Sequence, residues 1–127
     1  MKGTETGMAK ILAIDDERDT LTFITDVLGE KHEVITSESW LNAVESLIRD
    51  HFDLILLDIK MPGLSGDQVA EVLKKRLDYK QLKIVLFSGI DESELQRKAA
   101  AVGAKGYIHK PCPRDLFFLY VERFLRG

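Results

Sequence analysis

The chain has 127 residues, of which 45% are hydrophobic, and this size predicts one domain with one core. Its 18 basic and 21 acidic residues give a formal net charge of -3, and no run of Lys or Arg suggests a nucleic-acid-binding arm. The lone cysteine, Cys112, excludes an internal disulfide, and no apolar stretch of the sequence is long enough for a signal peptide or a membrane span. We therefore expect a cytoplasmic protein that binds neither nucleic acid nor membrane.

The first seven residues differ in composition from the rest of the chain. They are polar, contain glycine and show no apolar periodicity. Chain termini of this kind are poorly ordered unless another element holds them. We predict a disordered leader or tag remnant at residues 1–7 and a folded domain at residues 8–127.

Four short apolar runs alternate with helical patterns along this domain. The runs cover residues 11–14, 54–57, 84–87 and 107–108. Runs rich in Ile, Val and Leu are typical of strands buried on both faces of a parallel sheet. The periodicity changes between strand-like and helix-like spacing five times without a Pro/Gly-rich linker, which predicts a single doubly wound (βα)5 domain of the α/β class.

The first three helical segments carry apolar stripes that we expect to face the core. These stripes are Leu21, Ile24 and Leu28, then Trp40, Ala43, Val44, Leu47 and Ile48, and then Val69, Val72, Leu73 and Leu77.

The last two helical segments differ from the first three in opposite ways. The fourth, at residues 92–102, has little apolar area to bury, so we expect weak packing and mobility there. Its candidate core residues are Leu95, Ala99, Ala100 and Val102.

The fifth helical segment, at residues 113–125, is apolar on nearly every side, and one sheet contact cannot cover all of its apolar surface. Unless loops and the neighbouring helix bury the surplus, we expect a partner surface there, with Phe118 as the first residue to test.

A polar residue follows each apolar run: an acid after the first two runs, a hydroxyl after the third and an ammonium after the fourth. Asp15 and Asp16 follow the first run, Asp58 the second, Ser88 the third and Lys110 the fourth. The carboxyl ends of parallel strands lie at one edge of a sheet, where open α/β sheets bind ligands. We therefore expect these side chains to converge.

Three carboxylates at one place repel one another unless a cation neutralises them. Lys110 removes only one negative charge, whereas a hard divalent cation such as Mg²⁺ takes oxygen ligands of this kind. We therefore predict a Mg²⁺ site at Asp15, Asp16 and Asp58. Asp58 stands alone after the central run, and we predict that it acts as a nucleophile toward a phosphoryl group, whose oxygens would be contacted by Ser88 and Lys110.

Each residue has a plainer explanation when it is taken alone. An Asp after a strand is commonly a helix cap, and Asp15 or Asp16 could cap a helix that begins near Arg18. Ser88 alone is typical of a turn, and Lys110 alone of a charged surface. Four such coincidences would have to fall on four strand ends of one sheet edge, which favours a shared site.

These positions resemble the motifs of a known family, the receiver domains of bacterial two-component response regulators. The matching segments are residues 14–17 (IDDE), 57–63 (LDIKMPG), 87–89 (FSG) and 103–111 (GAKGYIHKP), and the resemblance extends from about residue 10 to residue 125. It implies a CheY-like, flavodoxin-like fold with strand order 2-1-3-4-5.

The resemblance also implies a phosphoacceptor site. Asp58 would accept a phosphoryl group from a histidine kinase or a histidine phosphotransfer protein. Asp15, Asp16, Asp58 and the backbone carbonyl of Lys60 would hold Mg²⁺. A domain of this family regulates signalling and is not an enzyme in its own right, although it assists its own phosphorylation and dephosphorylation.

The same resemblance implies a conformational switch. Ser88 and Lys110 would contact the phosphoryl group, and Ser88 would act together with Tyr107, which matches the aromatic switch position. The Lys110–Pro111 peptide bond matches one that is usually cis in the family. Receiver domains commonly form homodimers through the fourth helix, fifth strand and fifth helix, and we expect the same surface here.

Four further residues are assigned no role in the site. Cys112 stands where many receivers have Phe, and we expect a small buried hydrophobe rather than a redox sensor. The three histidines, His32, His51 and His109, show no metal-ligand spacing, so we assign them no chemistry.

Two other functions suit an α/β fold with an aspartate at a strand end. An aspartyl-phosphate phosphatase of the haloacid dehalogenase (HAD) type needs an acid two residues after its nucleophile, where this chain has Lys60. A flavodoxin-like cofactor binder needs a phosphate-binding loop after the first strand, where residues 15–17 (DDE) would repel phosphate. We therefore predict a receiver domain of a phosphorelay.

Overall fold

Strands and helices alternate throughout the described part of the chain. The computed structural model describes residues 7–76 and 81–127. Its elements are β1 Lys10–Ile14, α1 Arg18–Leu28, β2 Glu33–Ser37, α2 Trp40–Arg49, β3 Leu54–Leu57, α3 Gly66–Lys74, β4 Ile84–Ser88, α4 Glu92–Val102, β5 Gly106–His109 and α5 Arg114–Arg126. Residues 1–6 of the predicted leader and Leu77 of the third apolar stripe lie outside the described residues. Within these residues, no helix is long and apolar enough to cross a membrane.

All five strands are parallel and belong to one sheet. The strand order is β2-β1-β3-β4-β5, which confirms the predicted flavodoxin-like topology. Ile14 pairs with Leu57, and Leu57 pairs in turn with Leu86. Ser88 pairs with His109 at the end of β4 and β5. The strands therefore end at one edge, as the sequence predicts.

Helices cover both faces of the sheet and divide the core into two layers. Successive residues of a strand point to opposite faces. In β3, Ile55 and Leu57 accordingly pack with residues of α2, α3 and α4, whereas Leu54 and Leu56 pack with residues of α1 and α5. All four β3 residues are buried, which explains why this strand is a continuous apolar run.

Among the described residues, two that we predicted to lie in the core are exposed. Ile48 of α2 is 74% exposed, because Ala43 and Leu47 already fill the side of this short helix that faces the sheet. Ala100 of α4 is exposed as well, which leaves α4 with three buried residues. The prediction that Ile48 and Ala100 belong to the core is therefore wrong.

Helix α5 has more apolar surface than the sheet covers. Phe117 is fully buried against the sheet, while Leu116 and Tyr120 are 42% and 37% exposed. Phe118 is half-buried on the side of α5 that faces α1, and Nζ of Lys31, which follows α1, lies 5.9 Å from its ring centroid. Phe118 therefore does not lie on the α4–β5–α5 face, and the prediction that it leads a partner surface there is wrong.

Candidate functional site

The strand ends bring the predicted site residues to one edge of the sheet. The backbone N–H of Asp58 donates to the carbonyl of Ile14 at 3.0 Å, so Asp58 lies beside Asp15, the next residue of the neighbouring strand. The backbone N–H of Lys110 donates to the carbonyl of Ser88 at 2.9 Å. The sheet ladder thus continues one residue past the strands and sets the positions of all four side chains.

Lys110 lies at the centre of this site. Its Nζ donates to Asp15 Oδ2 at 2.8 Å and to Asp58 Oδ2 at 3.0 Å, and it lies 3.4 Å from Glu17 Oε1. Only 16% of the Lys110 side chain is exposed. We call these four residues, Asp15, Glu17, Asp58 and Lys110, the carboxyl-end cluster. Lys110 is therefore part of the site and not a charge on an open surface.

The second carboxylate oxygens of Asp15 and Asp58 accept backbone hydrogen bonds. Asp15 Oδ1 accepts from the N–H of Glu17 at 2.9 Å, and Asp58 Oδ1 accepts from the N–H of Lys60 at 2.8 Å. Helix α1 begins after Glu17, which is its N-cap residue and makes no side-chain cap. Neither Asp15 nor Asp16 is therefore the helix cap that the alternative explanation requires.

The cluster contains more negative than positive charge. Burial raises the pKa of Asp15, although hydrogen bonds from Lys110 and from the Glu17 N–H oppose this shift. Burial also opposes the charged form of Lys110, but the carboxylates of Asp15 and Asp58 outweigh it and raise the pKa of the ammonium. Three carboxylates share one ammonium, so the site favours a further cation.

Magnesium fits the oxygen donors of this cluster. Carboxylate oxygens of Asp15, Glu17 and Asp58 lie within 4.8 Å of one another, and Mg²⁺ prefers such ligands. Asp16 is exposed and lies in a neighbouring cleft of about 160 Å³ beside Trp40. Of the two predicted aspartates that follow β1, the structure therefore brings only Asp15 into the cluster, and the role of Asp16 stays a prediction.

Ser88 has a buried hydroxyl that makes no hydrogen bond to any described residue. The residue is 0% exposed, and its Oγ is the one buried side-chain polar atom without a partner in the described part of the chain. Buried hydroxyls are normally satisfied, so an orphaned one indicates a ligand or a second conformation. A phosphoryl oxygen at this edge of the sheet would satisfy it.

Sequence reasoning missed two residues that contact Lys110. Glu17 is the next residue after the predicted pair of aspartates, and Thr20 Oγ1 lies 3.3 Å from Lys110 Nζ. The signal for Thr20 was its place in the first turn of the helix that follows Asp15, four residues before the buried Ile24. No spacing in the sequence distinguishes Glu17 from Asp16.

Three other predicted features lie on β5 and in the loop that follows it. The Tyr107 hydroxyl of β5 donates to Glu92 Oε2 at the start of α4 at 3.0 Å, and this bond raises the Tyr107 pKa. The Lys110–Pro111 peptide bond is cis. Cys112 is half-buried against the core, and burial raises the pKa of its thiol. A raised pKa disfavours the reactive thiolate, which agrees with the predicted structural role.

Comparison with known proteins gives one consistent result. A family model described as the response regulator receiver domain matches residues 11–122. PilH from Pseudomonas aeruginosa is 26% identical over 121 residues, which cover 94% of this chain and 100% of PilH. A probable cyclic di-GMP phosphodiesterase from Vibrio cholerae is 28% identical over 92% of this chain, but this chain spans only 26% of that protein. The solved structure of Vibrio cholerae CheY4 is similar with a TM-score of 0.83 and 27% identity, over 93% of this chain and 99% of that structure.

Proposed function

Because the chain belongs to the response regulator receiver domain family, we propose that Asp58 is its phosphoacceptor and that Ser88 and Lys110 contact the bound phosphoryl group. Receiver domains are regulatory domains of two-component signalling, and they interact with histidine kinases or phosphotransfer proteins. The observation that carries the assignment to Asp58 is its contact with Lys110 Nζ at 3.0 Å, at the sheet edge where the buried Ser88 hydroxyl makes no hydrogen bond to the residues that the structure describes.

The proposed reaction moves a phosphoryl group from nitrogen to oxygen. A carboxylate oxygen of Asp58 forms a bond to the phosphorus of a phosphohistidine while the phosphorus–nitrogen bond breaks. The electron pair of that bond stays on the imidazole nitrogen, which takes up a proton from water. Lys110 pairs with one phosphoryl oxygen and the Ser88 hydroxyl donates to another, since such transfers depend chiefly on positioning and charge neutralisation.

We propose Asp15, Asp16, Asp58 and the backbone carbonyl of Lys60 as the ligands of Mg²⁺. Bound Mg²⁺ would neutralise negative charge on the carboxylates and on the phosphoryl oxygens. Asp15 and Asp58 both accept a hydrogen bond from Lys110 Nζ, so their carboxylates lie close together in the metal-free protein. Asp16 is exposed and joins them only if its side chain turns from the Trp40 cleft.

The two alternative functions are not favoured. The residue two positions after Asp58 is Lys60, which is exposed and contributes its backbone N–H to Asp58 Oδ1, so no acid is placed there for a HAD-type phosphatase. The first strand is followed by residues 15–17 (DDE), where a flavodoxin-like binder needs a phosphate-binding loop. Net negative charge at this position would repel a cofactor phosphate.

We also propose the limits and partners of the domain. The receiver domain is proposed to span residues 8–127, somewhat beyond the matched residues 11–122. A homodimer through α4, β5 and α5 is proposed to use Leu116 and Tyr120, which are exposed on α5, in place of Phe118. The cytoplasmic location stays a prediction.

Phosphorylation by acetyl phosphate tests the central proposal. Incubation with acetyl phosphate and Mg²⁺ should add the mass of one phosphoryl group to the intact chain. Asp58→Asn should abolish this addition, whereas Asp67→Asn, an exposed aspartate in the first turn of α3, should leave it unchanged. Single phosphorylation of Asp58→Asn at the wild-type rate would show that another residue is the acceptor.

A further inference from the structure

The ammonium of Lys110 has two neighbours that carry no charge. Its Nζ lies over the ring of Phe87, 5.4 Å from the ring centroid, and 3.3 Å from Thr20 Oγ1. The other neighbours of Nζ are carboxylates, and the proposed function gives Asp15 and Asp58 a second partner. Mg²⁺ is bound mainly by carboxylates and phosphoryl oxygens, and the proposed function assigns neither the ring nor the hydroxyl to it, so these two groups can hold the ammonium whatever the carboxylates contact.

We propose that Phe87 and Thr20 are positioning residues that hold the Lys110 ammonium toward the phosphoryl group on Asp58. We call these two side chains the ammonium seat. The inference rests on the proposed function, because that function assigns Lys110 its contact with phosphoryl oxygen. A lysine side chain is long and flexible, so holding its ammonium before the reaction reduces the entropy lost in the transition state.

The ring of Phe87 belongs to a buried cluster of three aromatic rings. Phe87 is the residue before Ser88 in β4 and is only 4% exposed. Its centroid lies 4.7 Å from that of Phe117 in α5 and 6.3 Å from that of Phe23 in α1. Phe23 and Phe117 also contact each other, at 5.2 Å. Phe87 therefore belongs to the buried core and also lies beneath Lys110.

The chemistry of the seat suits a lysine that must change its partner. An aromatic ring attracts a cation through the negative charge of its face, and the attraction increases where water is excluded. An ammonium has three N–H donors. Here they are directed to Asp15 and Asp58 at 2.8 and 3.0 Å, while Thr20 Oγ1 and Glu17 Oε1 lie farther from Nζ at 3.3 and 3.4 Å. The ring attracts the charge as a whole, so the donors stay available for a phosphoryl oxygen.

A simpler interpretation is that Phe87 is only a core residue. The same ring cluster supplies a matched control, because Phe117 is also buried, at 0% exposure. Among the described residues no lysine lies over Phe117, whereas Lys110 lies over Phe87. A purely structural role predicts that losing either ring has the same effect on the site.

The first measurement needs neither Mg²⁺ nor phosphorylation. The 1H–13C resonances of the Lys110 ε-methylene, assigned through their loss in Lys110→Arg, should be shifted upfield by the ring current of Phe87. Phe87→Leu should remove this shift, and Phe117→Leu should retain most of it. An unshifted Lys110 resonance in the wild type, or a shift that survives in Phe87→Leu, would overturn the proposal.

The second measurement is the rate of phosphorylation by acetyl phosphate at saturating Mg²⁺. Phe87→Leu should be slower than wild type by roughly three- to tenfold, which is the range expected when one cation–π contact is lost. Thr20→Val should be slower as well, and Thr20→Ser should recover most of the rate. Phe117→Leu should stay within about twofold of wild type, since it leaves the ring under Lys110 in place.

The outcomes separate this proposal from the proposed function. If Phe87→Leu and Phe117→Leu slow phosphorylation equally, the proposed role of the ammonium seat is overturned, while Asp58 remains the acceptor. A wild-type chain that is not phosphorylated at all would refute the proposed function, whereas the resonance of Lys110 would still report its contact with Phe87. If Phe87→Leu does not fold, trifluorophenylalanine at position 87 keeps the shape and weakens the charge of the ring face, and an unchanged rate would then overturn the proposal.

Discussion

Two groups of charged and polar side chains lie at opposite ends of the sheet, and their charge balance differs. The carboxyl-end cluster places three carboxylates around one ammonium. The other group, which we call the amino-end cluster, consists of Lys31, His32 and Glu122, and it lies where β1 and β2 begin. The first has an excess of negative charge, while the second has one carboxylate with two nitrogen partners.

Every group of the amino-end cluster has a hydrogen-bond partner. The N–H of Ala9 donates to His32 Nδ1 at 2.9 Å, so the ring hydrogen belongs on Nε2, which donates to Glu122 Oε2 at 2.6 Å. Lys31 Nζ donates to Glu122 Oε1 at 2.5 Å. Burial would raise the pKa of Glu122, but the hydrogen bonds from Lys31 and His32 outweigh it and hold the pKa below its ordinary value.

The comparison shows how charge balance distinguishes a binding site from a structural link. Glu122 and Asp15 are both buried acids that contact a lysine, yet the pKa of Glu122 is lowered and that of Asp15 is raised. Glu122 accepts hydrogen bonds from both Lys31 and His32, whereas Asp15 and Asp58 share the one ammonium of Lys110. We infer that the satisfied cluster stabilises the fold, and that the unsatisfied cluster keeps the capacity to bind a cation and a phosphoryl group.

The largest effect on stability is expected at the amino-end cluster. Glu122→Gln keeps the shape of the side chain but removes the charge that both Lys31 and His32 contact. The free energy of unfolding should fall by about 2 kcal/mol, since hydrogen bonds to charged, buried groups are stronger than neutral ones. Urea denaturation of the metal-free protein measures this change.

An exposed acid provides the control for this variant. Glu45 forms an ion pair with Arg49 on the surface of α2, at 3.8 Å. Glu45→Gln should change the free energy of unfolding by only a few tenths of a kcal/mol. Equal effects of Glu122→Gln and Glu45→Gln would contradict the contrast between a buried, satisfied acid and a solvated one.

At the carboxyl-end cluster, we expect the loss of an acid to stabilise the fold instead of weakening it. Asp15→Asn removes one of the mutually repelling carboxylates, so the melting temperature of the metal-free protein should rise by a few degrees. Mg²⁺ at millimolar concentration should raise the melting temperature of the wild type by binding the native state, and Asp15→Asn should remove most of this response.

Asp16→Asn separates repulsion from metal binding. Asp16 lies outside the metal-free cluster, so this variant should leave the metal-free melting temperature nearly unchanged. It should nevertheless reduce the rise in melting temperature that Mg²⁺ causes, because we propose that Asp16 is a ligand of the ion. A wild-type melting curve that does not respond to Mg²⁺ would contradict the metal site itself.

The two clusters should also respond to acid in opposite directions. The pKa of Glu122 lies below its ordinary 4.5, so its stabilising contribution is present above pH 4.5 and is lost as the pH falls through the folded-state value. The pKa of Asp15 lies above its ordinary 3.8, so the folded state binds this proton more tightly, and acid relieves an unfavourable charge.

Urea denaturation in metal-free buffer between about pH 5 and pH 3 tests these signs. The free energy of unfolding should decline less steeply with acid in Glu122→Gln than in wild type, because the variant has no such contribution to lose. It should decline more steeply in Asp15→Asn, which lacks the compensating gain. Parallel curves for the three proteins would contradict the assigned pKa directions.

The sheet edge could be predicted from sequence because topology determines it. In a parallel sheet, a polar residue that follows an apolar run has only one edge on which to lie, so Asp15, Asp58, Ser88 and Lys110 could be placed together. The side to which a loop side chain turns is not determined in this way. The structure accordingly brings Glu17, and not Asp16, next to Asp15 and Asp58.

The amino-end cluster could not be predicted from spacing. His32 and Glu122 are 90 residues apart, and no local pattern joins them. The available signal was the position of Glu122 on α5, immediately after Val121, which faces the core. An acid beside a buried stripe suggests a buried partner, but the partner's identity depends on how α5 packs against the loop before β2.

The smallest expected effect concerns the hydrogen bond between Tyr107 and Glu92, which joins β5 to the start of α4. Tyr107→Phe removes this bond, which lies at the protein surface, so amide exchange should become faster only in the first turn of α4, and by less than about tenfold. Tyr120→Phe, an exposed tyrosine of α5, is the control and should change nothing in α4.

The same measurement tests how α4 would report on the distant carboxyl-end cluster. We expect Ser88 to move toward a bound phosphoryl group, which opens space for the Tyr107 ring to turn inward and breaks its bond to Glu92. Beryllofluoride, a phosphoryl mimic, should therefore change exchange in α4 of the wild type, and in Tyr107→Phe the first turn should already exchange faster before the mimic is added. Unchanged protection of α4 in the wild type, with the mimic confirmed bound, would exclude this route. The binding cluster would then be coupled to the rest of the domain through some element other than Tyr107.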